Sequence, residues 1–242
     1  MTNAQDPQDL RVLLAQANHI LFDQGVLDAF GHVSVRSDER PDRFLLARNM
    51  APVLVTPDDV QEYDLDGDTD GPAPSYLERF IHAEIYRARP DVRAVVHSHS
   101  ASVIPFGLSS TPLQAVFHMA GFLVDGVARF EIRDVAGDAT DLLVRDAGLG
   151  AALARSLGSA PFALMRGHGS VAVGPSLPLA VYRAVYAEQN AALQLRSLPL
   201  DGMNALTVGE GRAAAQTNAG QIVRAWDMWL RRAAQHEVLR AG

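Results

Sequence analysis

Residues 74–100 read PSYLERFIHAEIYRARPDVRAVVHSHS, and this stretch decides the fold. Leu77, Phe80, Ile81 and Ile85 recur at helical intervals, so the spacing predicts a helix with an apolar face from Ser75 to Arg89. Pro90 stops it, and the apolar run Ala94–Ser98 follows at once as a buried strand. Strand side chains alternate, so His97 and His99 fall on one face of a sheet, where a single metal ion can meet both imidazoles. Glu78 and His82, four residues apart, share one face of the helix.

Working outward, Leu10–Gln24 repeats apolar residues at helical spacing and ends at Gly25. FGHVSVRS and DRFLLA alternate like strands on either side of the turn-rich SDERPD, which predicts a hairpin. Thr56–Pro74 is rich in Pro, Asp and Gly and reads as loop, except for a short strand and turn at YDLDG. The stretch 105–142 carries mixed signals. Beyond it come a helix over Leu142–Leu157, a buried strand PFALM with VAVG as its hairpin partner, and a long Ala-rich helix over Leu177–Ser197. Asp201–Ala219 is small, polar and aperiodic. Helical spacing returns over Gly220–Arg240 through Ile222, Trp226, Trp229 and Leu230, a helix suited to a subunit contact. The order of elements predicts an α/β fold: a mostly antiparallel central sheet with helices on both faces, in one domain over residues 1–242 whose last part, 201–242, is a tail and helix.

The 242 residues are 48% hydrophobic and carry a formal net charge of −7, enough chain for one large core. Absence of cysteine excludes disulfides, thiolate zinc sites and a thiol nucleophile. The 28 acidic and 21 basic residues form no long run of one sign, so neither nucleic acid nor an anionic membrane is an expected partner. A polar, acidic beginning without an apolar segment long enough to span a bilayer points to the cytoplasm.

A lone His-x-His is more often a core or surface feature than a ligand pair. A third candidate, His168 in MRGHGSVAVG, changes that weighting, because flanking glycines let the backbone approach closely at a strand end. Three neutral imidazoles with an open fourth position suit a catalytic divalent ion, with zinc, manganese or a related ion as cofactor. Glu78, delivered beside it, could act as ligand or base.

Taken in order, AFGHVSVR, VTPDDVQEYDLDG, the 74–100 stretch and LMRGHGSVAVG resemble the class II aldolase and adducin head family over about residues 10–195. The resemblance implies a homotetramer with active sites at subunit interfaces, a metal held by His97, His99 and His168, and Glu78 as the acidic residue beside it. Two departures from the sugar-phosphate members matter. Gly31-His32 stands where those members show Gly-Asn, and Ser75-Tyr76-Leu77 replaces their Ser-Ser pair before the acid, which dismantles a phosphate cradle. His118 stands where the aldolases place a tyrosine acid, and a group titrating near neutrality suits proton delivery. FGHVSVR with RFLLARNMAP resembles the branch that decarboxylates hydroxylated aromatic acids, such as 3-hydroxy-2-methylpyridine-4,5-dicarboxylate or dihydroxyphthalate. The expected activity is therefore metal-dependent decarboxylation of such a small-molecule carboxylate, with Glu78 and His118 catalytic and Arg48, His32 and Ser75 binding substrate. A retro-aldolase of an unphosphorylated hydroxy acid or sugar is the alternative, and a non-catalytic adducin-like module the remaining one.

Overall fold

The computed structural model describes residues 7–200 and 202–240; residues 1–6, 201 and 241–242 of the expected domain lie outside the described residues. The 74–100 stretch sits at the centre. Strand β1 (His32–Arg36) forms the expected hairpin with β2 (Arg43–Ala47), Ser34 opposite Leu46. On its other side β1 pairs antiparallel with β4 (Ala94–Ser98), placing His32 opposite His97. Strand β7 (Gly169–Gly174) pairs with β4, putting Ser98 opposite Ser170, and β6 (Phe162–Met165) pairs with β7. With β3 (Val60–Asp64) and β5 (Val127–Phe130) at the edges, the order is β3-β2-β1-β4-β7-β6-β5. Every pairing is antiparallel except β5 with β6.

Two groups of helices cover this sheet. Helices α1 (Pro7–Asp23) and α6 (Leu177–Ser197) pack together and on β1, β4 and β7. Helices α2 (Arg79–Ala88) and α5 (Ala147–Leu157) form the second group, against β4, β5 and β6. In β1 the side chains of His32, Ser34 and Arg36 meet α2, so alternation turns Val33 and Val35 to the opposite face. Leu14, Ile20, Ile81, Ile85, Leu153 and Val181 are buried almost completely, each worth about 1.5–3 kcal/mol relative to exposure.

Four departures from the sequence expectation each have a local reason. Helix α2 begins only at Arg79, because residues 74–76 are otherwise engaged: the Asn49 N–H donates to the Pro74 carbonyl and the Tyr76 hydroxyl to that of Met50. Helix α5 begins at Ala147, since Leu142 has φ +71° and Asp146 caps the helix by accepting from the Leu149 N–H. Strand β3 runs over VQEYD and the turn over Asp64–Gly67, which displaces the expected YDLDG strand toward the N-terminus. The supposedly aperiodic tail contains α7 (Val208–Ala219), opened by a reciprocal cap between Thr207 and Glu210.

The stretch 105–142 holds a short helix α3 (Ile104–Leu108), a 3-10 segment His118–Asp125, β5 and a one-turn helix α4 (Arg133–Ala136). Within it, residues 112–116 are gripped by α6. Gln194 accepts from the Gln114 N–H and donates to the Pro112 carbonyl, while Asn190 accepts from the Val116 N–H and donates to the Gln114 carbonyl. Helix α8 (Ile222–Arg240) buries Trp226 and Trp229 within the chain, Trp229 against Tyr182 and Tyr186 of α6. Among the described residues no helix is long and apolar enough to cross a membrane.

Candidate metal centre and active site

The chain brings Glu78, His97, His99 and His168 together with one ligand atom from each within 4.8 Å of all the others. His168 Nε2 lies 3.1 Å from His99 Nε2 and 3.4 Å from Glu78 Oε2, and His97 Nε2 lies 3.6 Å from the same carboxylate oxygen. Strand pairing explains the convergence. His97 ends β4, His99 follows it by two residues, and the turn between β6 and β7 delivers His168 beside that end. The fit is close enough to require glycine at position 169, where a Cβ would come within 2.0 Å of the Ser98 carbonyl oxygen. At Gly31 the chain has φ +83°, and a Cβ would meet Leu27 and the His97 carbonyl, so the backbone lies directly against the histidine strand.

Glu78 is placed by the late start of α2. As the residue before the first helical turn it leaves the helix face shared with His82, contrary to the expectation that both face one way. Its Oε1 accepts from the Val144 N–H at 2.9 Å, which leaves Oε2 toward the imidazoles. Burial by itself raises the carboxyl pKa, but hydrogen-bond donation and positive charge from the side of His168 and His97 outweigh burial and hold it well below the usual carboxylate range. The pKa of His99 is lowered as well: burial and then the neighbouring His97 and His168 bring it to about 4. At neutral pH the cluster thus offers a neutral imidazole and a carboxylate.

The donor set fits a divalent cation. His97 is fully buried, and its Nδ1 faces the Ser170 carbonyl at 3.1 Å; a carbonyl only accepts, so Nδ1 carries the proton and Nε2 is a lone pair. That Nε2 is sealed from solvent without a hydrogen-bond partner, an orphaned acceptor aimed at a carboxylate that cannot donate to it. A cation resolves this conflict. Three nitrogens and one oxygen are a set that zinc or manganese accepts.

A cavity of about 370 Å³ opens beside the cluster, reaching Glu78 and His99 at one end. Its walls are mostly apolar: Phe30, Met50, Tyr76, Leu77 and Leu143. Of the residues expected to bind substrate, only His32 lines it. Its ring is buried and its Nδ1 lies 2.6 Å from His82 Nε2, so His82, whose pKa burial lowers to about 3, is engaged there and is not part of the metal cluster. Arg48 and Ser75 are not brought to this cavity. The Arg48 guanidinium is held by Asp59 at 2.7 Å and lines a different cavity, while Ser75 accepts from the Tyr63 hydroxyl. His118 stands exposed at the head of the 3-10 segment. Sequence reasoning missed Tyr76 and Asn49 in the cavity wall and the buried partners Ser34 and Tyr86. The last two carried a signal: Ser34 is two residues from His32 on a strand, and Tyr86 four from His82 on a helix.

Comparison with known proteins gives the family. Residues 12–195 match the family described as class II aldolase and adducin N-terminal domain, and the chain belongs to that family. It is 39% identical to decarboxylase tropJ of Talaromyces stipitatus over 88% of this chain and 90% of that one. It is 31% identical to 3,4-dihydroxyphthalate decarboxylase of a Terrabacter species, covering 96% and 97% of the two chains. Among solved structures, L-fuculose 1-phosphate aldolase from Glaciozyma antarctica superposes with a TM-score of 0.78 at 21% identity, covering 95% of this chain and 90% of that one, which shows the shared fold. Family and decarboxylase relatives together make the protein a carbon–carbon lyase.

Proposed function

We propose that the chain is a divalent-metal-dependent decarboxylase of a hydroxylated aromatic or heteroaromatic carboxylic acid. The cavity carries this reading: it reaches the cluster of three imidazoles and an ionised carboxylate through His99 and Glu78 at one end, and apolar and aromatic side chains form the walls. Such walls suit a planar ring, and the polar end suits its hydroxyl and carboxylate oxygens. The relatives named as decarboxylases support the reaction class, and 3,4-dihydroxyphthalate, the acid in one of those names, is the first compound to test.

His97, His99 and His168 would hold the ion with Glu78 beside them. When bound there, zinc, manganese or a related ion supplies Lewis-acid chemistry to oxygens of the substrate. The remaining work belongs to the chain. His32 faces the substrate from the cavity wall, and the apolar side chains exclude water. The bond between ring and carboxyl breaks, its electron pair stays on the ring carbon, carbon dioxide leaves, and that carbon takes up a proton. Glu78, held ionised, accepts protons rather than supplying this one. We assign the donor to His118 of a neighbouring copy in a homotetramer, a reading supported by the exposed position of His118.

The test is incubation of metal-loaded enzyme with 3,4-dihydroxyphthalate, a panel of hydroxybenzoates and a panel of unphosphorylated hydroxy acids, following carbon dioxide and aldehyde separately. Carbon dioxide from an aromatic acid supports the proposal; aldehyde from a hydroxy acid replaces it with retro-aldol cleavage. His97→Ala should lose most bound metal while remaining folded, and full occupancy in that variant would overturn the metal assignment. His118→Phe should keep its metal and lower turnover by about 100- to 10,000-fold, the usual worth of general acid catalysis. Turnover equal to the parent would move proton delivery elsewhere.

A further inference from the structure

Behind His32 a file of polar side chains runs from the cavity into the core. His32 Nδ1 lies 2.6 Å from His82 Nε2, His82 Nδ1 lies 2.6 Å from Ser34 Oγ, and Ser34 Oγ lies 2.7 Å from the Tyr86 hydroxyl. All four residues are buried. We propose that Tyr86, acting through Ser34 and His82, fixes the tautomer of His32 so that its Nε2–H is a standing hydrogen-bond donor to a substrate oxygen. This rests on the reading of the cavity as the binding place of a carboxylate substrate.

The direction of the file follows from its inner end. The hydrogen bond between Tyr86 and Ser34 could run either way, but Tyr86 is 1% exposed and Ser34 Oγ is the one acceptor its hydroxyl has among the described residues. Were Ser34 to donate to Tyr86, the phenol proton would be buried without an acceptor, at the full cost of its desolvation. Tyr86 therefore donates to Ser34. Ser34 has then only its own proton to offer, and gives it to His82 Nδ1. His82, neutral because burial lowers its pKa to about 3, must carry its proton on Nε2 and donates to His32 Nδ1.

His32 is left with its proton on Nε2. That atom makes no hydrogen bond within the described chain and is not among the sealed polar atoms, so it opens on the cavity its residue lines. A protonated Nε2 cannot ligate a cation, which agrees with the place of His32 outside the cluster of Glu78, His97, His99 and His168. It can donate to a carboxylate or phenolate oxygen. It is a poor proton source, because moving every proton in the file outward by one step would end in a buried Tyr86 phenolate, whose pKa burial pushes well up. Tyr86, Ser34 and His82 are thus positioning residues, and His32 is the group that touches substrate.

Nitrogen-15 magnetic resonance of histidine-labelled, zinc-loaded protein distinguishes the two tautomers directly, with His32→Asn identifying the signal. The parent is expected to show His32 protonated at Nε2, and Tyr86→Phe, which removes the anchor, to show a growing share protonated at Nδ1. Binding of salicylate, a simple ortho-hydroxy carboxylate, should weaken about tenfold in Tyr86→Phe with metal content unchanged. A parent signal protonated at Nδ1 overturns the proposal, as does an unaltered tautomer in both Tyr86→Phe and Ser34→Ala. The tautomer is read without turnover, so its outcome stands apart from any failure of the decarboxylase assay.

Discussion

Replacing Gly169 by Ala adds one methyl group at the place where β7 lies against the end of β4. The backbone there is not left-handed, so alanine is conformationally allowed and the effect is steric alone. Its Cβ would stand 2.0 Å from the Ser98 carbonyl oxygen and 3.2 Å from the Cα of His99. To reach an ordinary contact of 3.4 Å the strands must separate by about 1.4 Å. Backbone, unlike the tip of a side chain, has no rotamer by which to yield. Overpacking of this kind costs about 1–3 kcal/mol, which for a chain of this length lowers Tm by about 2–12 °C. The same separation carries His168 away from His99 and Glu78, whose ligand atoms now stand 3.1 and 3.4 Å from its Nε2. Zinc affinity should therefore fall together with Tm. Thermal unfolding of chelated protein and zinc titration of the refolded variant measure the two effects separately. A Gly169→Ala protein with the parent's Tm and zinc affinity would refute the claim that strand contact sets the ligand geometry.

Acid should weaken the fold through His82. Its pKa is about 3 folded against 6.5 as an ordinary histidine, so between these values the unfolded chain binds the extra proton and stability falls as pH drops. From pH 6.5 to 5 the loss from this residue is about 2 kcal/mol. Urea midpoints of chelated protein at the two pH values should differ less in His82→Gln than in the parent, and equal differences would count against this cause. Trp229→Ala should cost about 3–5 kcal/mol by emptying the contact with Tyr182 and Tyr186, read from urea unfolding; a loss below about 1 kcal/mol would mean α8 packs loosely.

Much of the fold was legible in periodicity. The Ala-rich run Leu177–Ser197 is a helix over the bounds read from sequence, and the apolar run Ala94–Ser98 is the central strand. What periodicity could not show were elements set by a partner or by a single dihedral angle. Strand β5 has only Phe130 fully buried and exists by pairing parallel with β6, so VARF alone carries no pattern. Leu142 and Asp146 decide where α5 starts, and neither shows in hydrophobic spacing. At the site, histidines spaced by two and the glycine-flanked His168 were readable because chemistry demands those residue types. That Arg48 stands away from this cavity was not legible, because a sequence shows a guanidinium but not the carboxylate of Asp59 that pairs with it.

The segment leading to His118 is moored by side-chain amides. Two carboxamides, Asn190 and Gln194, each bracket its backbone from both sides, and α6, which bears them, also forms part of the central packing. Amides neither titrate nor respond to ionic strength as ion pairs do. The loop's mooring is thus indifferent to acidity and salt, so a pH profile of activity does not report the loosening of the arm that carries His118.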